Sequence, residues 1–194
     1  AKQWAKWEAD PKPYGGVETL SLIRKAKERE SRSLDVTNWA MGIITDAAPL
    51  ASLTNLEELD LSSNLADVSP LSELTKLKVL DLSRNRISDL TPLASLTNLE
   101  ELSLNSNQIS DVSALAGLTK LKKLRLGFNR IADVSPLAKL VNLTSLYLHK
   151  NQITDLSTLE SLVDLSMISL DHNPIPEDQF EMLKKALPNC LIIF

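Results

Sequence analysis

The chain has 194 residues, 43% of them hydrophobic and 24% charged, so it can bury a sizeable core and is not a disordered polypeptide. A net charge of −4 argues against nucleic acid or an anionic membrane as the main partner, and five Gly are too few for a fold resting on phosphate-cradling glycine loops. One cysteine, Cys190, excludes an internal disulfide framework and a four-cysteine zinc site.

The first ten residues carry Lys and Trp but no apolar run, and no stretch approaches the roughly 18 consecutive apolar residues of a membrane span. The expectation is a cytoplasmic protein with no signal peptide and no membrane insertion. Trp4 and Trp7 precede a chain break at Pro11, Pro13, Tyr14, Gly15 and Gly16. Either the two rings dock on the end of the core, or they form an exposed handle for a partner. The segment VETLSLIRKAKERE then places Val17, Leu20 and Ile23 on one face of a predicted amphipathic helix.

Next comes SRSLDVTNWAMGIITDAAPL, a degenerate first repeat in which Leu34 and Val36 supply a strand and Ile44, Asp46 and Leu50 match a second half. The regular units follow: LTNLEELDLSSN from Leu53, LTKLKVLDLSRN from Leu74, LTNLEELSLNSN from Leu96, LTKLKKLRLGFN from Leu118, LVNLTSLYLHKN from Leu140 and LVDLSMISLDHN from Leu162. Each closes on an Asn, at Asn64, Asn85, Asn107, Asn129, Asn151 and Asn173, one step of 21 residues followed by four of 22. Each continues in the manner of NRISDLTPL from Asn85. The L-x-L alternation predicts a short strand with one buried face, and the Asp-x-Ser-Pro-Leu segment a turn into a short helical or irregular run. One unit cannot hide its own Leu face, so neighbours must stack and share a core, with seven strands in parallel. The unit after Asn64 is one residue short; Leu65 is expected in the buried Ile position, with a local kink.

After Asn173-Pro174-Ile175-Pro176, EDQFEMLKKALPNC predicts a helix burying Phe180, Leu183 and Leu187, and Leu191 to Phe194 an extended piece. Cys190 in this cap reads as a buried structural thiol.

These units resemble the leucine-rich-repeat family over about residues 50 to 173. The 22-residue length and the I-x-D-L-x-P-L second half are similar to the class in bacterial internalins and phosphatase-regulatory proteins. The resemblance implies an α/β right-handed solenoid with a curved parallel sheet on its concave side, a helical N-terminal cap and a helix-plus-strand C-terminal cap. Residues 1–49 would form the lead-in, cap helix and first repeat, 50–173 the array, and 174–194 the C-terminal cap, as one continuous domain. It also implies that the six closing asparagines form a structural ladder on backbone groups of the adjoining turns. The cap helix followed by S-L-D-V-T is similar to the lead-in of bacterial repeat arrays, including those of Roco-type GTPases. No P-loop pattern is present to carry GTPase activity.

Strict alternation fixes which residues line the sheet. The first column reads Ser33, Glu58, Val79, Glu101, Lys123, Ser145, Met167; the second Asp35, Asp60, Asp81, Ser103, Arg125, Tyr147, Ser169; the third Thr37, Ser62, Ser83, Asn105, Gly127, His149, Asp171. The residues before the asparagines are Ser63, Arg84, Ser106, Phe128, Lys150 and His172. The N-terminal half of this face is acidic and the C-terminal half basic and aromatic. Of eight aromatics in the chain only Phe128 and Tyr147 lie in the array, at positions that are mostly polar in other units. Arg125, Phe128, Tyr147 and His149 are therefore the expected centre of a protein-binding patch, with Lys123, Lys150, Met167 and His172 around them.

No metal or cofactor is expected. A flat column of Asp35, Asp60 and Asp81 cannot converge the six to eight oxygens calcium takes, and nothing local orients His149 and His172 for zinc. No acid, base and nucleophile converge, so no catalytic residue is assigned. The expected function is a non-catalytic, monomeric module binding a protein or peptide on its concave face. Two alternatives stand beside it: a sensing or regulatory fragment of a larger enzyme, and an engineered consensus-like scaffold, suggested by the repeated LTNLEEL at Leu53 and Leu96.

Overall fold

The computed structural model describes residues 2–37, 44–61 and 65–194. The L-x-L triplets are three-residue strands: β1 (Ser33–Asp35), β2 (Glu58–Asp60), β3 (Val79–Asp81), β4 (Glu101–Ser103), β5 (Lys123–Arg125), β6 (Ser145–Tyr147) and β7 (Met167–Ser169). They pair in parallel and in sequence order, with β8 (Leu191–Ile193) added at the C-terminal edge. Eight strands thus form one open sheet, the seven expected of the repeats and the strand expected of the C-terminal cap. Ile192 pairs with Ile168 in register and extends the row of central, core-facing residues.

Five of the short runs after the asparagines, and one before the first regular unit, are 3-10 helices, such as Thr91–Ser95 and Ser135–Lys139. Their start is set by the Asp two residues ahead. Asp67, Asp89, Asp111, Asp133 and Asp155 each accept the backbone N–H of the Ser or Thr at i+2 at 2.8 Å. Pro at the second position of several of these runs has no N–H to leave unpaired there.

Between strands and short helices lies a continuous apolar core from Ile23 to Leu187. The central strand residues Leu102, Leu124 and Leu146 are fully buried, each contributing about 1.5–3 kcal/mol of burial free energy. Stacked asparagines stitch the turns. The carboxamide of Asn129 accepts the Ile109 N–H at 3.0 Å and donates to the carbonyls of Leu104 and Leu126, both at 3.0 Å. Asn85, Asn107, Asn151 and Asn173 repeat this three-way pattern, joining each unit to the one before it. Leu65 is buried in the Ile position of its shortened unit and donates its N–H to the Asn85 carboxamide oxygen. Asn64, Ser62, Ser63, the expected kink beside them and the 38–43 part of the first repeat lie outside the described residues.

At the N-terminal end, α1 (Lys2–Ala9) packs on α2 (Gly16–Glu28). Trp7 is buried, Trp4 stands edge-on to it at 4.9 Å, and Tyr14 is 6.0 Å from Trp7. Arg24 of α2 lies over the Trp4 ring at 5.1 Å while pairing with Glu8. The rings close the cap. The buried face of α2 is Thr19, Leu20, Ile23 and Ala26, and Val17 is exposed. Val17 sits in the first turn, where its side chain falls outside the contact with the array. At the other end, α3 (Glu177–Ala186) buries Leu183, with Leu187 buried just beyond it. Phe180 is half-buried, its ring 3.9 Å from that of Phe194. Cys190 is also half-buried and packs on the core, where burial raises its thiol pKa. No helix among the described residues is long and apolar enough to cross a membrane.

Candidate functional site

The strand register sets the open face of the sheet residue by residue. Ser33, Glu58, Val79, Glu101, Lys123, Ser145 and Met167 stand in one row, continued by Leu191. Asp35, Asp60, Asp81, Ser103, Arg125, Tyr147 and Ser169 stand in the next. Neighbours in a row are one strand spacing apart, roughly 4.8 Å.

At the acidic end, Asp35 accepts the N–H and hydroxyl of Thr37, which lower its pKa, and Asp81 accepts the Ser83 N–H at 2.8 Å. Asp60, between them, has no such partner among the described residues. Its Oδ1 is buried without a hydrogen bond. Burial, then the charges of Asp81 and Asp35, push the Asp60 pKa up to about 6.

At the basic end the side chains hold one another. The Arg125 guanidinium lies over the Tyr147 ring at 5.6 Å, and the Lys150 ammonium over Phe128 at 4.4 Å. Phe128 meets His149 edge to face at 5.3 Å. Ser169 Oγ lies 3.4 Å from His149 Nδ1 and donates to Asp171 Oδ1 at 2.8 Å, and the other Asp171 oxygen is 2.9 Å from His172 Nδ1. Because the hydroxyl points its proton at a carboxylate, this is a scaffold of hydrogen bonds. It does not present an activated serine. Hydrogen bonds from His172 and then Ser169 hold the Asp171 carboxyl below the usual range.

The structure therefore brings Arg125 onto Tyr147 and Phe128 between Lys150 and His149 on one face, with His172 joined to His149 through Asp171 and Ser169. Lys123 sits at the edge of this group, 3.6 Å from Glu101, and Met167 is half-buried between Ser145 and Leu191. Phe128 is 46% exposed, a large apolar ring displayed to solvent. Among the described residues no three of His, Cys, Asp and Glu gather into a metal-binding group.

Two features of this face escape sequence reading. Arg84, Ser106, Phe128, Lys150 and His172 all adopt left-handed backbone, φ between 55° and 60°. None is Gly, Asn or Asp, and only His172 is of a type enriched there, so the identities of the other four do not signal it. The second is a groove of about 520 Å³ running from Asp60 and Asp81 to Arg125 and Phe128 over Ser103 and Asn105, with Arg84 on its rim. Asn105 had only a place in the third column; its Oδ1 accepts the Gly127 N–H at 2.7 Å.

The family model described as Leucine Rich repeats (2 copies) matches residues 54–95, 75–117, 97–139 and 141–185. The chain belongs to the leucine-rich-repeat family. Among solved structures it is similar to an internalin of Listeria monocytogenes (InlF), at 36% identity and TM-score 0.75, over 78% of this chain and 44% of that one. It is likewise similar to internalin C2 of the same organism, at 31% identity and TM-score 0.70, over 90% of each chain. A leucine-rich-repeat protein of Leptospira interrogans aligns at 30% identity and TM-score 0.79, over 87% of this chain and 45% of that one. The chain thus spans less than half the length of two of these relatives. A comparison with curated proteins finds no match. This is a bacterial, internalin-like leucine-rich-repeat protein, and proteins of that type are typically protein-interaction modules.

Proposed function

We propose that this leucine-rich-repeat chain is a non-catalytic module that holds a protein or peptide partner on the open face of its sheet, centred on Arg125, Phe128, Tyr147 and His149. The observation that carries this is the cluster itself. Two cation–π contacts and one edge-to-face contact hold five side chains, Arg125, Phe128, Tyr147, His149 and Lys150, in place before any partner arrives. A preformed surface loses little ordering entropy on association, so a few rigid anchors can supply affinity. Tyr and Arg are the residue types that most often do so. Neither Phe128 nor Tyr147 belongs to the apolar core.

The test is affinity capture from cell extract with wild type and with Arg125→Ala/Tyr147→Ala side by side. The double variant should lose the captured protein while its thermal unfolding stays within about 0.5 kcal/mol of wild type, as for substitutions away from the core. A partner held equally by both proteins would remove the cluster from the binding site.

A second reading is that the module is the recognition part of a longer protein. It is favoured by the 44% and 45% shares of two relatives that the chain spans. Expression of the flanking coding sequence with this segment, followed by the same capture, would show whether the partner needs more than these repeats.

A further inference from the structure

Charges on the two surfaces of the array are arranged in opposite ways. On the turns leading into the strands they neutralise one another: Glu57 pairs with Lys78 at 2.7 Å and Arg32 at 3.2 Å, and Glu100 with Lys122 at 2.7 Å. On the sheet face they are mostly sorted by sign, the exceptions being Arg84, which lines the groove near Asp81, and Asp171, which is held by Ser169 and His172 at the basic end. Lys123 and Glu101 meet at the border, at 3.6 Å. Beyond that border, none of Asp60, Asp81, Arg125 and Lys150 takes part in an ion pair among the described residues. The groove joins the two unneutralised ends over a floor of small polar groups, Ser103 and Asn105.

From this juxtaposition we infer that the groove takes an extended polypeptide segment crossing the strands, with a cationic group lodged at Asp60 and Asp81 and an anionic or aromatic group lodged at Arg125, Phe128 and Lys150. This rests on the reading of the face as a protein-binding surface and states what the partner must look like. Asp60 on β2 and Arg125 on β5 are three strand spacings apart, about 14 Å, which an extended chain covers in about four residues. The partner's opposite charges are therefore separated by about that number of positions. A small zwitterion is too short to reach both ends. Nucleic acid and an anionic bilayer carry one sign only and are repelled by the acidic half. A partner ammonium or guanidinium beside Asp60 and Asp81 would offset the crowding of Asp35, Asp60 and Asp81.

The test is selection from a displayed random peptide library of about twelve residues, long enough to overrun the groove, against the whole chain. Selected peptides are then titrated against Asp60→Asn/Asp81→Asn, Arg125→Glu and Phe128→Ala/Tyr147→Ala variants whose folding is checked by thermal unfolding. The expected winners carry a Lys or Arg group and an Asp or Glu group about four residues apart. Their affinity should fall about tenfold or more with Asp60→Asn/Asp81→Asn and with Arg125→Glu alike. Reversing the anionic group of a winner to Lys should restore binding to Arg125→Glu. Winners of a single charge sign, or winners that need Phe128 and Tyr147 but ignore Asp60 and Asp81, overturn the divided-charge inference and leave the binding face standing. Winners indifferent to all three variants overturn both. Failure to select any peptide above background overturns the inference, and the capture experiment then decides the face on its own.

Discussion

The imidazole of His149 occupies the space that a side chain at Gly127 would need: a Cβ built there falls 2.4 Å from ring atoms Cε1 and Nε2. Ser83, Asn105 and Asp171 fill the corresponding positions of other units, so Gly127 is what lets His149 lie under Phe128. Replacing Gly127 with Ala should expel the ring and loosen Phe128. Because the obstacle is the end of a half-buried side chain that can swing aside, a change of less than about 1 kcal/mol in urea unfolding is expected, with a weakening of partner binding beyond that of a neutral surface change. An alanine variant with wild-type affinity would show that the pose of the ring does not matter for binding.

The ladder carries a second prediction. Truncating Asn129 to Ala leaves the Ile109 N–H and the carbonyls of Leu104 and Leu126 without their side-chain partner. The cost should be about 1–3 kcal/mol, read as a lower midpoint in chemical denaturation with m unchanged. Ser would recover little, because its hydroxyl cannot reach three backbone groups in two adjacent units. If Asn129→Ala unfolds with the midpoint of wild type, water satisfies those groups instead.

Much of this architecture is legible in the sequence because the Leu alternation and the closing Asn share one frame. Once Leu124 and Leu126 face inward, Lys123, Arg125 and Gly127 have only the open face left. The eighth strand is legible as an extended piece of the cap, but its pairing onto β7 is not. Leu191, Ile192 and Ile193 are apolar on both faces, with Leu191 and Ile193 exposed and Ile192 inward, so no alternation betrays the pairing. The exposure of Val17 follows from where α2 meets the array, which helical periodicity alone does not contain. The groove is equally invisible, since it depends on which of several polar side chains leave space above Ser103 and Asn105.

Acidity should act on this fold in two directions. Asp60 has a folded-state pKa of about 6, above its unfolded value, so the folded protein binds the proton more tightly. Stability should therefore rise as pH falls from about 7 towards 5, the window below the raised pKa. Asp60→Asn should stabilise the protein by on the order of 1 kcal/mol at neutral pH, after allowance for solvent screening, and flatten that slope. A variant with the wild-type slope would place the titration elsewhere.

The Asp residues ahead of the short helices pull the other way. The hydroxyl and then the N–H of Thr91 hold Asp89 below its ordinary pKa, and the N–H and then the hydroxyl of Ser113 and Ser157 do the same for Asp111 and Asp155. Their folded-state values lie below the unfolded ones, so their contribution is complete above about pH 4 and disappears as pH falls below it. Unfolding followed by circular dichroism across this range should show a maximum between the two limbs. Asp111→Asn should blunt the acid limb alone.

The left-handed residues before the asparagines are held from the next turn of the array. Arg84, Ser106, Phe128 and Lys150 donate their N–H groups to the carbonyls of Asn105, Gly127, His149 and Asp171, at 2.8 to 3.0 Å. A backbone conformation that disfavours any side chain is thus locked by the following unit and not by its own. Phe128 owes its outward pose to β6 and the turn beyond it. A miniaturised version cut between Asn129 and β6 would keep every atom of Arg125 and Phe128 yet release the hinge on which that ring is mounted. Recognition in such a molecule is indivisible, and shortening it from the C-terminal side should blunt the anchor before it removes it.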